Sequence, residues 1–190
     1  RINRVIRDFP RESIQGGSTC SNLRQQVLAK METQGLKCKC IRCREPRHRT
    51  IKDVDIKLKV VSYQTQGGEE YFISYTSIDE TMIYGFIRVR INDERVVPIF
   101  SEIENACLIR ELHVYGRMTS TRTTDSGSDK SRIQHKGIGY KLLMKAEEII
   151  KGYGFDRVEI ISGVGVREYY RKHGYELASG LGGYMMKTLE

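Results

Sequence analysis

A short glycine-containing motif constrains this chain more than any other feature of its sequence. Gln134-His135-Lys136-Gly137-Ile138-Gly139 directly precedes an amphipathic run that begins at Tyr140. Apolar residues recur in that run at helical spacing, so the two glycines fall in the first turn of a predicted helix. At such a position the unpaired backbone N–H groups and the helix dipole favour an anion, and glycine lets the backbone approach a phosphate closely. The motif therefore predicts a binding site for a ligand that carries a diphosphate.

The net charge of +8 lies entirely in the N-terminal part of the chain. The first fifty residues contain twelve Lys and Arg against four Asp and Glu, whereas residues 51–190 contain twenty of each. This distribution favours a polyanion, nucleic acid first, as the partner of a basic segment; a solvated linker is the alternative. We therefore divide the chain into a basic segment, 1–50, and a globular domain, 51–190.

The first residue and the apolar runs of the chain indicate which class of protein it belongs to. Because it begins with Arg1 rather than methionine, we expect a processed chain or a fragment of a longer protein. No apolar run approaches the length of a membrane span and no signal peptide is visible, so we expect no membrane partner.

Three of the five cysteines lie within six residues, at Cys38, Cys40 and Cys43, and His48 follows shortly after. Three thiols and an imidazole can supply the four ligands of a tetrahedral structural zinc site. Cys20 is a rival for the fourth position, and unligated cysteines in a loop are the alternative to a metal site. The C-x3-C-x2-C spacing of a radical-type iron–sulfur site is absent. Crowded thiols are typical of a reducing compartment, so we expect a cytoplasmic location.

The apolar pattern after Asp55 predicts an α/β domain with a mixed sheet. A hairpin that turns at Gly67-Gly68 begins the domain, and a polar segment, 118–133, reads as a surface loop or lid. The remaining predicted elements are strands at Met82–Ile91, Ala106–Tyr115 and Arg157–Ile161, a helix at Arg167–Lys172, and a closing strand or hairpin from Tyr175 to Leu189.

The strand from Ala106 to Tyr115 carries two titratable residues just before the polar segment. With strict alternation, Glu111 and His113 would share one face with Ile109, while Leu112 and Val114 would point the other way. A carboxylate and an imidazole placed in this way are candidates for a general base. A solvated strand face or a structural ion pair is the alternative for either residue.

The order of these features decides which phosphate-binding loop is present. A Walker A loop is absent, and a dinucleotide-binding motif would need a third glycine where Leu142 stands. What remains is Q-x-x-G-x-G opening a helix late in the chain, followed by a strand, a helix and the run Tyr170 to Tyr175. This ordered set resembles the GNAT acetyltransferases, and the resemblance implies a GNAT acyltransferase fold with a mixed, mostly antiparallel central sheet.

The GNAT resemblance also implies roles for particular residues. The loop from Gln134 to Gly139 would hold the pyrophosphate of acetyl-CoA, and the backbone of Leu112, His113 and Val114 would pair with the pantetheine. Tyr170 would lie near the thiolate leaving group, with Tyr169 as an alternate. Glu111 or His113 would activate water or another acceptor.

Longer stretches of the sequence resemble one branch of this fold, the acetyltransferase domain of the Elongator catalytic subunit and the tRNA uridine(34) acetyltransferases. The stretches are Ile109–Gly116, Gln134–Gly139, Ile161–Tyr170, Arg4–Pro10, Asn22–Arg24 and Cys38–Glu45. The resemblance implies 5-carboxymethyl modification of wobble uridine 34, with acetyl-CoA hydrolysis coupled to binding of tRNA through its anticodon region. The polar segment 118–133 would then shield the thioester until RNA arrives.

The same resemblance implies a radical S-adenosylmethionine domain with a 4Fe-4S cluster, which this chain lacks apart from an apparent C-terminal edge in residues 1–21. That missing domain, other Elongator subunits or a second copy of the chain would be its protein partners. Two other functions are open: a GNAT lysine N-acetyltransferase that acts on protein, and a non-catalytic, zinc-stabilised RNA-binding module.

Overall fold

The computed structural model describes residues 2–4, 6, 9–46, 56–115 and 137–190. The chain divides into two compact units, Arg1–Glu45 and Pro46–Glu190. The expected boundary at residue 50 and the whole polar segment 118–133 lie outside the described residues. Within the described part of the chain, no helix is long and apolar enough to cross a membrane.

The N-terminal unit consists of two helices and an extended segment. Helix α1 spans Leu23–Thr33 with Asn22 at its N-cap, and helix α2 spans Ile41–Arg44. The extended segment is held to the start of α2 because Ile2 and Asn3 accept backbone hydrogen bonds from Ile41 and Arg42 at 3.0 and 2.9 Å. A 3-10 turn at Arg11–Ser13 precedes α1.

The second unit is built on a sheet that contains seven strands within the described residues. In order across the sheet these are β1, β2, β3, β4, β5, β7 and β6. All neighbours are antiparallel except β4 and β5, which confirms the predicted mixed, mostly antiparallel sheet. The strands are β1 Ile56–Thr65, β2 Gly68–Ser77, β3 Ile83–Asn92, β4 Cys107–Val114, β5 Arg157–Ile160, β6 Glu176–Leu177 and β7 Met185–Thr188.

Two helices of this unit flank β5 in the chain. Helix α3 spans Ile138–Gly152 and helix α4 spans Arg167–Arg171, so both agree with the helices expected from the sequence. A 3-10 turn at Ser101–Ile103 precedes β4, and another at Val164–Val166 precedes α4.

Helix α3 supplies much of the core by packing its apolar side onto one face of the sheet. Leu142, Leu143, Ala146 and Ile150 are fully buried there, against side chains from β3, β4 and β5. A fully buried leucine or isoleucine contributes about 2 kcal/mol of hydrophobic stabilisation. Burial of this apolar stripe therefore fixes the start of α3 over the middle of the sheet.

A bulge breaks the alternation of β4, so the prediction of strict alternation along this strand is wrong at Arg110. Arg88 of β3 faces Glu111, whereas the next residue, Val89, faces Ile109, which leaves Arg110 as an extra residue on β4. As a result Ile109, which was expected beside Glu111, lies in the core on the same side as Leu112. A bulge of this kind bends the strand and increases its twist.

The face of the sheet opposite α3 carries a polar network around Glu70. This buried carboxylate accepts a hydrogen bond from Tyr63 Oη at 2.9 Å, and it pairs with Arg110 and with Arg88. Burial would raise the pKa of Glu70, but the hydrogen bonds from Tyr63 and Arg110 outweigh it and the pKa is lowered. The network joins β1, β2, β3 and β4 on the side that the helix does not cover.

Candidate functional site

Strands β4 and β5 separate at the bulge. They pair only from Cys107 to Ile109, and the last backbone contact between the two segments is Ile161 N–H to the Ile109 carbonyl at 3.1 Å. Because β5 ends at Ile160, the described ladder gives the β4 residues from Arg110 to Val114 no partner on this side. The strand edge there can pair with another extended backbone, and we call the space beside it, where β4 leaves β5, the groove.

Helix α3 begins beside this groove with a glycine in the left-handed conformation. Gly137 is the N-cap, with φ 65° and ψ 24°, and apart from its chain neighbours no described residue comes within 4 Å of the place where a Cβ would stand. A helix start leaves its first N–H groups without intrahelical partners, and the dipole of this 15-residue helix adds positive potential there. Gly137, Ile138 and Gly139 thus lie at the helix start that the sequence predicts, and the anion site there stays a prediction. Gln134, His135 and Lys136 lie outside the described residues.

Gly139 is the point where three elements meet. A Cβ on this residue would lie 2.6 Å from Tyr169 Oη of α4 and 3.4 Å from Val114 Cγ2 at the end of β4. The Tyr169 hydroxyl is buried and has no hydrogen-bond partner among the described residues. Burial raises the pKa of Tyr169 to about 12, so the hydroxyl carries its proton at neutral pH. A protonated donor without an acceptor therefore lies against the first turn of α3.

Tyr170 lies one residue further along α4 and points into the core. It is 5% exposed and packs edge-to-face against Tyr169 and Tyr175, with ring centroids 5.4 and 6.0 Å apart. Burial raises the pKa of Tyr170 as well. The hydroxyl of Tyr169 thus lies next to Gly139 and Val114, whereas the side chain of Tyr170 lies in the apolar core.

Two groups near this site were missed by the sequence reasoning. His173 stacks on Tyr140 at 4.9 Å and meets the edge of Tyr169 at 4.8 Å between ring centroids. Glu147, on the apolar side of α3, is buried and accepts hydrogen bonds from Tyr175 Oη at 2.8 Å and Lys187 Nζ at 2.9 Å. Its partners lie 28 and 40 residues away in the chain, so no local pattern could have revealed it.

Glu111 and His113 share a face, as expected, and it is the face opposite α3. Glu111 Oε2 lies 3.7 Å from Arg88 Nε, so its carboxylate belongs to an ion pair. His113 is exposed, stacks on Phe86 at 5.9 Å and contacts the ring of Tyr115 at 4.4 Å between centroids. Both residues therefore flank the groove on the side away from Tyr169.

The N-terminal unit contains a cluster of three thiols. The sulfur atoms of Cys38, Cys40 and Cys43 all lie within 4.8 Å of one another. Ligands of a tetrahedral zinc ion with Zn–S bonds of about 2.3 Å are separated by about 3.8 Å, so small movements would place all three on one metal. Three thiolates suit a soft or borderline ion such as zinc. The residues fit this metal.

The fourth ligand proposed from the sequence, His48, lies outside the described residues. The rival Cys20 is not in the cluster, because its thiol donates to Asn22 Oδ1 at 3.1 Å. Burial raises the pKa of Cys40, but the hydrogen bonds from Arg24, from the Cys43 backbone and from the neighbouring thiols together outweigh it and lower the pKa to about 7. Burial raises the pKa of Cys43 to about 11, and the neighbouring thiols reinforce the shift.

Comparison with known proteins identifies relatives over the whole chain. No protein-family model matches. The tRNA uridine(34) acetyltransferase of Methanocaldococcus jannaschii is 41% identical over 198 residues, which covers 100% of this chain and 35% of the relative. The enzyme of the same name from Dehalococcoides mccartyi is 41% identical over 196 residues, covering 100% of this chain and 40% of the relative. Human Elongator complex protein 3 is 35% identical over 195 residues, covering 100% and 34%.

A solved structure agrees with these relatives. The archaeal Methanocaldococcus infernus Elp3 with an N-terminal deletion matches with a TM-score of 0.76 and 35% identity, over 96% of this chain and 43% of that one. The chain spans about a third to two fifths of the length of the curated relatives it matches. The chain therefore belongs to the family of tRNA uridine(34) acetyltransferases and Elongator complex protein 3, of which it represents a part.

Proposed function

We propose that this chain is the acetyl-CoA-binding part of a tRNA-modifying acyltransferase, which supplies the acetyl group for 5-carboxymethyl modification of uridine 34. The observation that carries the proposal is the meeting of β4, α3 and α4 at Gly139, beside the groove where β4 leaves β5. Family membership supports the same activity, because two relatives are named tRNA uridine(34) acetyltransferase.

Acetyl-CoA would bind with its diphosphate at the start of α3 and its pantetheine along β4. The N–H groups of Ile138 and Gly139, together with the loop Gln134 to Gly137, would hold the phosphate oxygens. Because the edge of β4 from Leu112 to Val114 has no β5 partner, it would accept the amide groups of the pantetheine as a neighbouring strand would. This pose brings the thioester close to α4.

The tyrosines of α4 would then assist departure of coenzyme A. When a nucleophile attacks the thioester carbonyl, the C–S bond breaks, and a tyrosine hydroxyl can donate its proton to the thiolate. Tyr170 is the donor that the family resemblance implies, and Tyr169 has the hydroxyl that lies against Gly139. Glu111 or His113, across the groove, would take the proton of the attacking water.

The tyrosine assignment can be decided with conservative variants. Replacement Tyr169→Phe or Tyr170→Phe removes one hydroxyl and keeps the ring. The variant that lacks the proton donor should lose roughly 10- to 100-fold in the kcat of acetyl-CoA hydrolysis with little change in KM, since general acid–base groups contribute on this scale or above. Equal, small effects of both replacements would contradict a role for either hydroxyl.

The polyanion partner would be tRNA, held in part by the basic segment 1–50, and hydrolysis of acetyl-CoA would be coupled to its binding. The polar segment 118–133 would shield the thioester until RNA is present. Deletion of this segment should raise acetyl-CoA turnover in the absence of RNA; unchanged turnover would count against shielding. Formation of the carbon–carbon bond would need a radical S-adenosylmethionine domain with its 4Fe-4S cluster, whose cysteine motif this sequence lacks.

The cysteine cluster would hold a structural zinc ion through Cys38, Cys40 and Cys43, with His48 as the fourth ligand. When bound, the ion would supply cross-linking of the N-terminal unit rather than a reactive group, because a site closed by four protein ligands leaves no open position for substrate. We expect the reduced thiols that it needs to be maintained in the cytoplasm.

Calorimetry with acetyl-CoA tests the assignment of the loop. Gly137→Glu forces a side chain into the left-handed conformation and adds a negative charge, so it should abolish measurable binding. Gly137→Asn is the matched control: it adds a side chain of similar length without charge, and asparagine tolerates this conformation, so most of the affinity should remain.

Three results would contradict the proposed activity. Absence of acetyl-CoA binding by the parent chain, together with salt-dependent tRNA binding, would indicate an RNA-binding module instead. Acetylation of a lysine peptide without RNA would indicate a protein N-acetyltransferase. Equal affinity of Gly137→Glu and the parent would place the diphosphate elsewhere.

A further inference from the structure

The side chain of Arg24 connects three parts of the N-terminal unit. Its Nη2 lies 3.0 Å from Cys43 Sγ and 3.7 Å from Cys40 Sγ, and its Nη1 donates to the carbonyl of Ile6 at 3.4 Å. One guanidinium therefore joins helix α1, the extended segment and the thiol cluster.

Helix α1 contains no fully buried residue. Its apolar residues Val27, Leu28 and Met31 line a small crevice together with Ile6 and Cys38. An amphipathic helix normally takes most of its stability from a packed apolar face, and eleven residues are too few for a stable isolated helix in water. The contact of Arg24 with the sulfur atoms is consequently a main link between α1 and the cluster among the described residues.

The charge of the candidate metal centre explains why an arginine suits this position. Three thiolates and one neutral ligand on Zn²⁺ leave a net charge of about −1. A guanidinium remains protonated in proteins and offers several N–H donors in one plane, so it can donate to two sulfur atoms at once. A lysine would bring the positive charge without this planar set of N–H donors.

We infer that Arg24 is an outer-shell partner of the cysteine metal centre and that it couples metal binding to the docking of α1. The inference rests on the proposed zinc site. When the metal replaces the thiol protons, the negative charge on the sulfur atoms increases. The hydrogen bonds from Arg24 to these atoms become stronger and hold α1 in place. Conversely, the guanidinium stabilises the metal-bound thiolates and raises the affinity for the ion.

Zinc affinity of the full chain tests the first half of this inference. Zn²⁺ is titrated in competition with a chromophoric chelator, for the parent and for Arg24→Gln, Arg24→Lys and Lys30→Gln. Arg24→Gln should weaken zinc binding roughly 10- to 100-fold, as expected for loss of an outer-shell partner. The zinc affinity of Arg24→Lys should lie between those of the parent and Arg24→Gln, because lysine keeps the positive charge and lacks the coplanar N–H donors. Lys30→Gln removes the same charge from an exposed position on the same helix and should leave the affinity within a factor of about two.

Amide hydrogen exchange tests the coupling. In the parent, Zn²⁺ should slow exchange in Leu23–Thr33; in Arg24→Gln saturated with zinc, this protection should be largely lost. Acetyl-CoA binding should be unchanged in the variant, which shows that the second unit remains folded. Parent-like affinity and protection in Arg24→Gln would overturn the inference while leaving the zinc site intact. A parent chain that binds no zinc would overturn both the metal centre and the role of Arg24.

Discussion

At Gly139 a single missing carbon atom determines how closely α4 approaches α3. A Cβ there would lie 2.6 Å from Tyr169 Oη, a separation that real Cβ atoms do not show. We therefore expect Gly139→Ala to destabilise the chain by about 1–3 kcal/mol, as overpacking does. The double variant Gly139→Ala/Tyr169→Phe lacks the oxygen that collides and should recover most of this loss. Urea unfolding of the parent and the variants measures the effect; equal stability of the single and double variants would locate the strain elsewhere.

Glu159, in the middle of β5, should make stability depend on pH. Its side chain is 1% exposed, its Oε2 has no hydrogen-bond partner among the described residues, and its Oε1 lies 3.9 Å from the Nε of Arg157. Burial raises the pKa of Glu159 to about 7, against an ordinary value of 4.5, although Arg157 opposes the shift. Between these two values the folded chain holds a proton that the unfolded chain has released. The stability is therefore greatest below the lower value and falls as the pH rises to about 7.

The variant Glu159→Gln isolates this effect because glutamine is uncharged at every pH. We expect it to remove a decline in unfolding free energy on the order of 2–3 kcal/mol between pH 4.5 and 7. At neutral pH the variant should be more stable than the parent. Denaturant unfolding across this range measures the difference, with Glu148→Gln, an exposed change on α3, as the control. Parallel pH profiles of Glu159→Gln and the parent would show that Glu159 ionises normally.

Individual residues differ in how far the sequence could reveal them. The glycines of the loop and the tyrosines of α4 were singled out from short motifs, because the roles predicted for them depend on residue type at fixed spacing. Glu147 and Glu159 were not found, because the burial of a carboxylate depends on which distant parts of the chain pack over it. His173 lay within a motif that was recognised, but its stacking on Tyr140 depends on how α3 and the end of α4 pack.

Among the elements, α3 is tied to the end of the sheet through Glu147. Its carboxylate accepts hydrogen bonds from Tyr175 and from Lys187 of β7, and Lys187 Nζ lies 5.5 Å from the centre of the Tyr175 ring. Glu147→Ala would leave a partly buried ammonium and a buried hydroxyl unpaired, so it should cost about 3–5 kcal/mol. Glu147→Gln keeps a hydrogen-bond acceptor and should cost less. Thermal unfolding ranks the variants, and an alanine variant as stable as the parent would contradict this account.

The positions of the helices and most strands could be predicted because their apolar periods are clear. The bulge in β4 could not, because its sequence is compatible with strict alternation. What sets the bulge is the pairing of Arg88 and Val89 in β3 with Glu111 and Ile109, a long-range register that no local period contains. The separation of β4 from β5, on which the candidate groove depends, accordingly has no signal in the local sequence.

At the scale of the whole molecule, the two units should respond differently to loss of metal. The second unit has an apolar core between α3 and the sheet, whereas the first depends on hydrogen bonds and the cysteine cluster. A zinc chelator should therefore accelerate amide exchange throughout residues 9–45 and leave exchange in β2 to β5 unchanged. Hydrogen-exchange mass spectrometry resolves the units in one experiment. Uniform acceleration in both would contradict their independence, and no change in either would exclude a structural metal.

The extra residue in β4 has a consequence for how such a groove can be gained or lost. Without Arg110, Ile109 and Leu112 would be two positions apart, and simple alternation would place both in the core with Glu111 facing outward. Such a strand would lack the bend at which it leaves β5, so the groove would narrow or close. The apolar pattern of the shortened chain would still predict the same strand, so the chain would be assigned to the same fold. Loss of one codon could thus remove the proposed ligand site from a lineage and leave an intact fold without it.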